Sequence, residues 1–227
     1  MAKLWNEPNS RSWIRNQESV NLAPPSTWQV GREGLVEVPS QSIEFTEVMA
    51  NSLTLFGQTS WPVKIERVQN LDLWRSYAVK RDSIVQKFAS GSCRLIHNNL
   101  GRLELTSLFH GTAAASVPKI VSQGLNRAFS GGCNGASYGK GVYFARDAAT
   151  AVKYAAVDKQ GFKRLLVCRV AVGDWCKGSS ELKTPPPRPG EENRLFDSTV
   201  DVLSWPSMFV VFHDAQVYPE YLITFQI

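Results

Sequence analysis

Runs rich in Val, Ile, Phe and Tyr are concentrated in the second half of this chain, over Gly141–Phe144, Leu165–Val172, Phe209–Phe212 and Tyr221–Phe225. Such runs favour a pleated, buried surface. The helical patterns fall mostly earlier, with no regular strand-helix-strand rhythm. A doubly wound parallel sheet is therefore disfavoured, and the expected class is α+β with a mostly antiparallel, split sheet and short helices.

The earlier elements have local causes. Pro62 opens a short strand pattern through Val63, Ile65 and Val68, and a helical stripe follows with Leu73, Trp74, Tyr77, Ile84, Val85 and Phe88 on one face. Ser116-Val117-Pro118 starts a short helix that Gly124 stops. Asp147 caps a helix predicted through Tyr154, whose alanines favour the helical state. Residues 1–40 read as an extension rather than core: Asn, Ser, Pro and Gly are common, Ala23-Pro24-Pro25-Ser26 is linker-like, and Trp5, Trp13 and Trp28 need somewhere to dock. The domain proper is placed at 41–227.

With 227 residues, 43% of them hydrophobic, the chain can bury a core without staples. No window approaches the roughly 18 apolar residues of a spanning helix, and the first residues lack a signal-peptide core, so a membrane or secreted protein is not expected. Cys93, Cys133, Cys168 and Cys176 show no metal-site pairing and no disulfide density, which suits a reduced intracellular compartment, cytoplasm or nucleus. Cys93-x3-His97 lacks two further ligands, so no metal is expected. Lysine and arginine give a net charge of +5, but they are scattered, and nucleic-acid binding would rest on charge alone.

Gly139-Lys140-Gly141 fails as a phosphate loop, because Asn134 and Gly141 stand where glycine and Ser or Thr are required. The glycines at 131, 132, 135, 139 and 141 mark a tightly turned loop or one whose backbone nears a ligand. His97 and His213 read as surface or capping residues. His110 differs, because a strand through Leu108-Phe109 delivers its imidazole beside Gly111-Thr112, although a satisfied core histidine fits the same position. No nucleophile elbow is present.

The ensemble is more specific than its parts. Leu108-Phe109-His110-Gly111-Thr112, then Tyr138-Gly139-Lys140-Gly141-Val142-Tyr143-Phe144-Ala145, then Tyr218-Pro219-Glu220-Tyr221-Leu222-Ile223 closely resemble, in order and spacing, the catalytic domain of the poly(ADP-ribose) polymerase family. Lys64-Ile65-Glu66-Arg67-Val68-Gln69-Asn70, Leu73-Trp74 and Pro185–Pro187 resemble its mono-ADP-ribosyltransferase branch, similar to the macrodomain-containing members. Pro24-Pro25-Ser26-Thr27-Trp28 resembles the linker that follows an upstream WWE module.

The resemblance implies an ADP-ribosyltransferase-like split antiparallel sheet, NAD as co-substrate, and transfer of ADP-ribose with loss of nicotinamide. It implies that His110 bonds the adenosine ribose, that the backbone of Gly111 pairs with the nicotinamide carboxamide, and that Thr112 supports the ribose. Tyr143 and Tyr154 would wall the nicotinamide, with Tyr138 nearby in the same motif. Arg127, beside Phe129 in a glycine-rich loop, would meet the pyrophosphate. Two positions depart from the pattern. Ala151 stands where a serine often bonds the carboxamide, and Met208 stands where polymerising members place a glutamate. A thioether cannot act as a general base, so a single unit is expected to pass to a protein acceptor through an acidic or other nucleophilic side chain, including the chain itself. The rival is an inactive fold acting through protein or RNA contacts. Glu220 is expected to be a solvated strand-start residue rather than the catalytic acid.

Overall fold

The computed structural model describes residues 20–56, 62–91, 93–98, 101–129 and 136–226. Trp5, Trp13 and Cys133 lie outside them. Nine strands form one sheet in the order β1(Gly34–Glu37), β2(Pro62–Gln69), β11(Val217–Gln226), β5(Phe162–Val170), β3(Leu105–Thr112), β4(Val142–Ala145), β10(Met208–Val211), β9(Ser198–Val200), β6(Trp175–Lys177). All pairings in this sheet are antiparallel except β6 with β9. A separate hairpin joins β7(Pro187–Arg188) to β8(Glu191–Leu195). The helices are α1(Ile43–Phe56), α2(Leu71–Ala89), α3(Val117–Gln123) and α4(Ala148–Val152).

The sheet is split at its middle. Strand β3 registers with β5 out to Thr112↔Arg164, and β4 registers with β10 along its whole length, but β3 and β4 share one partnered pair, Phe109↔Ala145. Past that pair no ladder holds the two halves together. Alternation along the strands feeds two cores. Leu108, Phe144, Leu166, Phe209 and Trp175 face one way, and Phe109, Ala145, Leu165, Val167 and Phe225 face the other, toward Ala148 and Ala151 of α4.

Helix α2 begins where Asn70 accepts the Leu73 amide at 3.1 Å, and the same side chain donates to the carbonyls of Val121 and Ser122 at the end of α3. Gly124 then leaves α3 at φ 80°. The stripe predicted for α2 buries Trp74, Tyr77, Ala78 and Ile84, with Trp74 edge-on to Tyr218 at 5.2 Å. Trp28 docks against the same aromatic group, 6.1 Å from Trp74 and 6.0 Å from Tyr218.

Three expectations change. The helix capped by Asp147 stops at Val152 instead of reaching Tyr154. The last strand starts at Val217, earlier than the apolar run indicates. Glu220 is buried, not solvated: it is the extra residue of a bulge between Pro219 and Tyr221, and Arg169 of β5 grips its carboxylate at 2.8 Å. Burial still pushes the Glu220 carboxyl above its ordinary range despite Arg169.

Candidate active site

The seam between β3 and β4 is where the predicted residues gather. His110 lies on β3 beyond the last shared rung, and its Nδ1 stands 2.8 Å from the carbonyl oxygen of Tyr143 on β4. A carbonyl only accepts, so Nδ1 carries the hydrogen and Nε2 is left as an acceptor. The imidazole takes the place of a missing ladder bond and crosses the seam. Burial pulls its pKa below the usual 6.5 and outweighs the opposing effect of the Tyr143 carbonyl, so the ring is neutral at physiological pH. Its ring centroid lies 5.7 Å from that of Phe144.

Tyr143 is held from its other end. Its hydroxyl accepts from the Tyr138 amide at 2.9 Å and donates to the Gly139 carbonyl at 2.8 Å, so the phenol ties down the loop that precedes its own strand. Burial raises its pKa further, keeping it a neutral donor. The carbonyl of Tyr138 in turn accepts the Thr199 hydroxyl at 2.7 Å. Gly139 is required there: φ is +129°, and a Cβ would come within 2.5 Å of the Phe212 ring.

Gly111 has a structural cause of its own. A Cβ on it would lie 2.1 Å from the Ala151 carbonyl oxygen and 2.8 Å from the Ala155 amide. The bare α-carbon lets α4 press on β3, and Ala151 is buried by that contact. Its small side chain thus belongs to a tight helix-on-strand approach. Thr112 is buried at the strand end, while Tyr154, just past α4, is 47% exposed.

Met208 begins β10 opposite Ala145 and is half-buried against the core that includes Phe109, Ala145 and Ala151. An unforeseen residue positions it. Asp201 accepts the amides of Ser207 at 2.9 Å and Met208 at 3.0 Å, and also the Ser207 hydroxyl. Burial works to raise that carboxyl, but these donors prevail and hold it below the ordinary aspartate value. Only the spacing of an aspartate seven residues before the strand could have signalled it. Arg127 turns its guanidinium to the Phe212 carbonyl at 2.9 Å, and its amide meets Asp214 at 3.2 Å. Among the described residues no group of three or more His, Cys, Asp or Glu side chains could hold a metal.

A mostly antiparallel sheet split between β3 and β4, with a neutral histidine bonded across the split to the backbone of a tethered tyrosine, is the arrangement of an ADP-ribosyltransferase-like domain, and comparison agrees with it. Residues 44–227 match the family described as the poly(ADP-ribose) polymerase catalytic domain, and the chain belongs to that family. Among its relatives, protein mono-ADP-ribosyltransferase PARP12 of Mus musculus is 40% identical over 71% of this chain and 21% of its own length. Protein mono-ADP-ribosyltransferase PARP14 of Homo sapiens is 40% identical over 72% of this chain and 9% of its own. Protein mono-ADP-ribosyltransferase PARP11 of Mus musculus is 33% identical over 94% of this chain and 67% of its own. The chain thus spans about a fifth or less of the first two relatives.

Proposed function

We propose that this chain transfers one ADP-ribose unit from NAD to a protein acceptor and releases nicotinamide, without elongation. The observation that supports this is the neutral imidazole that spans the split from β3 to the Tyr143 carbonyl on β4, leaving Nε2 as an acceptor. NAD, as co-substrate, supplies a cationic leaving group on a glycosidic bond. His110 Nε2 accepts a ribose hydroxyl, the Gly111 backbone meets the carboxamide, and Thr112 closes the strand end below them. Tyr143 and Tyr154 offer ring faces to the pyridinium, a contact worth about 1–2 kcal/mol once water is excluded. Tyr138 and Arg127 border the donor side. Ala151 contributes no hydroxyl, so the carboxamide depends on backbone alone.

Where polymerising members place a glutamate, Met208 offers a thioether packed against an apolar cluster. It cannot draw a proton from an incoming ribose hydroxyl, so chain growth has no base. The acceptor carboxylate of the target, or another nucleophilic side chain, brings its own charge to the developing cation, which lowers the barrier electrostatically. Residues 41–227 would form the catalytic unit, and residues 1–40 would reach it from a WWE module, with Gly34–Glu37 of that stretch joining the sheet as β1. Action in the cytoplasm or nucleus suits the buried free thiols of Cys93, Cys168 and Cys176.

Incubation with labelled NAD and an acidic acceptor should label the acceptor and the chain with single units. His110→Ala and Tyr143→Ala should each abolish labelling in protein that still melts cooperatively. Long ladders would refute the role given to Met208. Absence of both label and thermal stabilisation by NAD would favour an inactive interaction module.

A further inference from the structure

Arg146 follows β4 directly, and its amide donates to the Ser207 carbonyl at 2.8 Å, so it sits beside the residue that begins β10. Its guanidinium is stacked 4.5 Å from the Trp205 ring centroid and 5.7 Å from that of Phe209. Its Nη2 is buried and has no hydrogen-bond partner among the described residues. The Asp201 carboxylate does not supply one; it accepts from Ser207 and Met208 instead. The guanidinium is only partly buried, and its unpaired donor favours an acceptor that arrives from outside. The surroundings are open to a partner: Trp205 is 65% exposed and Val202 47%. Lys177, also exposed, donates its ammonium to the Asp201 carbonyl and adds positive charge.

We infer, on the basis of the transferase activity proposed above, that Arg146 and Trp205 form an acceptor-side subsite that docks a protein segment bearing a carboxylate next to an apolar residue. Indole and valine faces take the apolar residue, and the guanidinium fork takes the carboxylate. The docked residue flanks the one that is modified, since Arg146 and Met208 lie on adjoining strand ends. One guanidinium matches one carboxylate. A nucleic-acid backbone would need a row of such cations, and here Asp147 and Asp201 interrupt any row.

The test uses fluorescent peptides carrying one acceptor glutamate, with a second glutamate beside a leucine two to four residues away, or glutamine in place of that second glutamate. Anisotropy reads binding to the whole chain without turnover, so the subsite is scored even if no ADP-ribose is transferred and the proposed activity fails. The wild type should bind the glutamate peptide roughly tenfold more tightly than the glutamine peptide, the fold-change of one charged hydrogen bond. Arg146→Gln should equalise the two, Arg146→Lys should restore part of the ratio, and Trp205→Ala should weaken both peptides. Arg146→Glu should prefer a version with lysine at the second position, which a merely structural role would not produce. An unchanged ratio in Arg146→Gln overturns the inference. So does a parallel fall in NAD affinity, which would place Arg146 on the donor side, or tighter binding of a single-stranded RNA oligonucleotide than of the peptide.

Discussion

At the scale of single residues, His110 and Gly111 are adjacent but answer to different demands. The imidazole owes its neutrality to burial, so its folded pKa lies below the value near 6.5 of a free histidine. Above that value the group adds no pH dependence to stability. As pH falls below it the unfolded chain takes up the proton first, and stability declines until the folded-state pKa is passed. Denaturant midpoints measured from pH 7.5 to 5 should fall less steeply in His110→Ala than in the wild type, His213, whose pKa burial also lowers, supplying part of the remaining slope. Gly111→Ala forces a methyl into the Ala151 carbonyl and should cost at least about 1–3 kcal/mol, seen as a lowered melting temperature. Tyr143→Phe keeps the ring and deletes both bonds to the loop at 138–139; a loss of about 1 kcal/mol and faster hydrogen exchange at the Tyr138 amide are expected. His110 stood out because an apolar pair precedes it and a glycine follows it, whereas Tyr143 was singled out only by the resemblance of the three motifs, taken together, to the family. The sequence did not reveal why position 111 is glycine, because the obstructing carbonyl comes from a helix forty residues on.

Among the elements, those built from local pattern were foreseen and those built from distant pairing were not. The stripe of α2, the breakers around α3 and the apolar runs of β4, β5 and β10 carry their own signals. Strand β11 opens with Val217-Tyr218-Pro219-Glu220, where proline and a carboxylate mask a strand whose bulged glutamate is paired by Arg169 on β5. The β7–β8 hairpin is another such case. Its Arg188 is buried against Asp174 at 2.9 Å, with its guanidinium near the rings of Phe88 and Phe196, while Asp174 also accepts the amides of Ile96, His97 and Asn98. His97 joins this group instead of standing as a surface or capping residue: its Nδ1 bonds the Trp175 carbonyl and its ring stacks on Phe196 at 5.4 Å. Removing the cation strands a buried carboxylate. Arg188→Met should cost about 3–5 kcal/mol in equilibrium unfolding and release the hairpin to proteolysis.

For the molecule as a whole, the segment before β1 contributes packing that composition alone disguised. Trp28 completes the aromatic group with Trp74 and Tyr218, and Trp74 donates its indole hydrogen to the Ala23 carbonyl at 2.9 Å. Trp28→Ala should lower stability by roughly 2 kcal/mol, about half the fully buried figure, measured by calorimetry. The nine-stranded sheet itself consists of two sub-sheets that meet at a single rung, Phe109↔Ala145. A compound that grips both banks becomes a staple between them, whereas one resting on a single bank leaves the junction as loose as before. Inhibitors drawn from a fragment screen should therefore rank by how far they bridge, and the gain in melting temperature would report that bridging ahead of any assay of turnover.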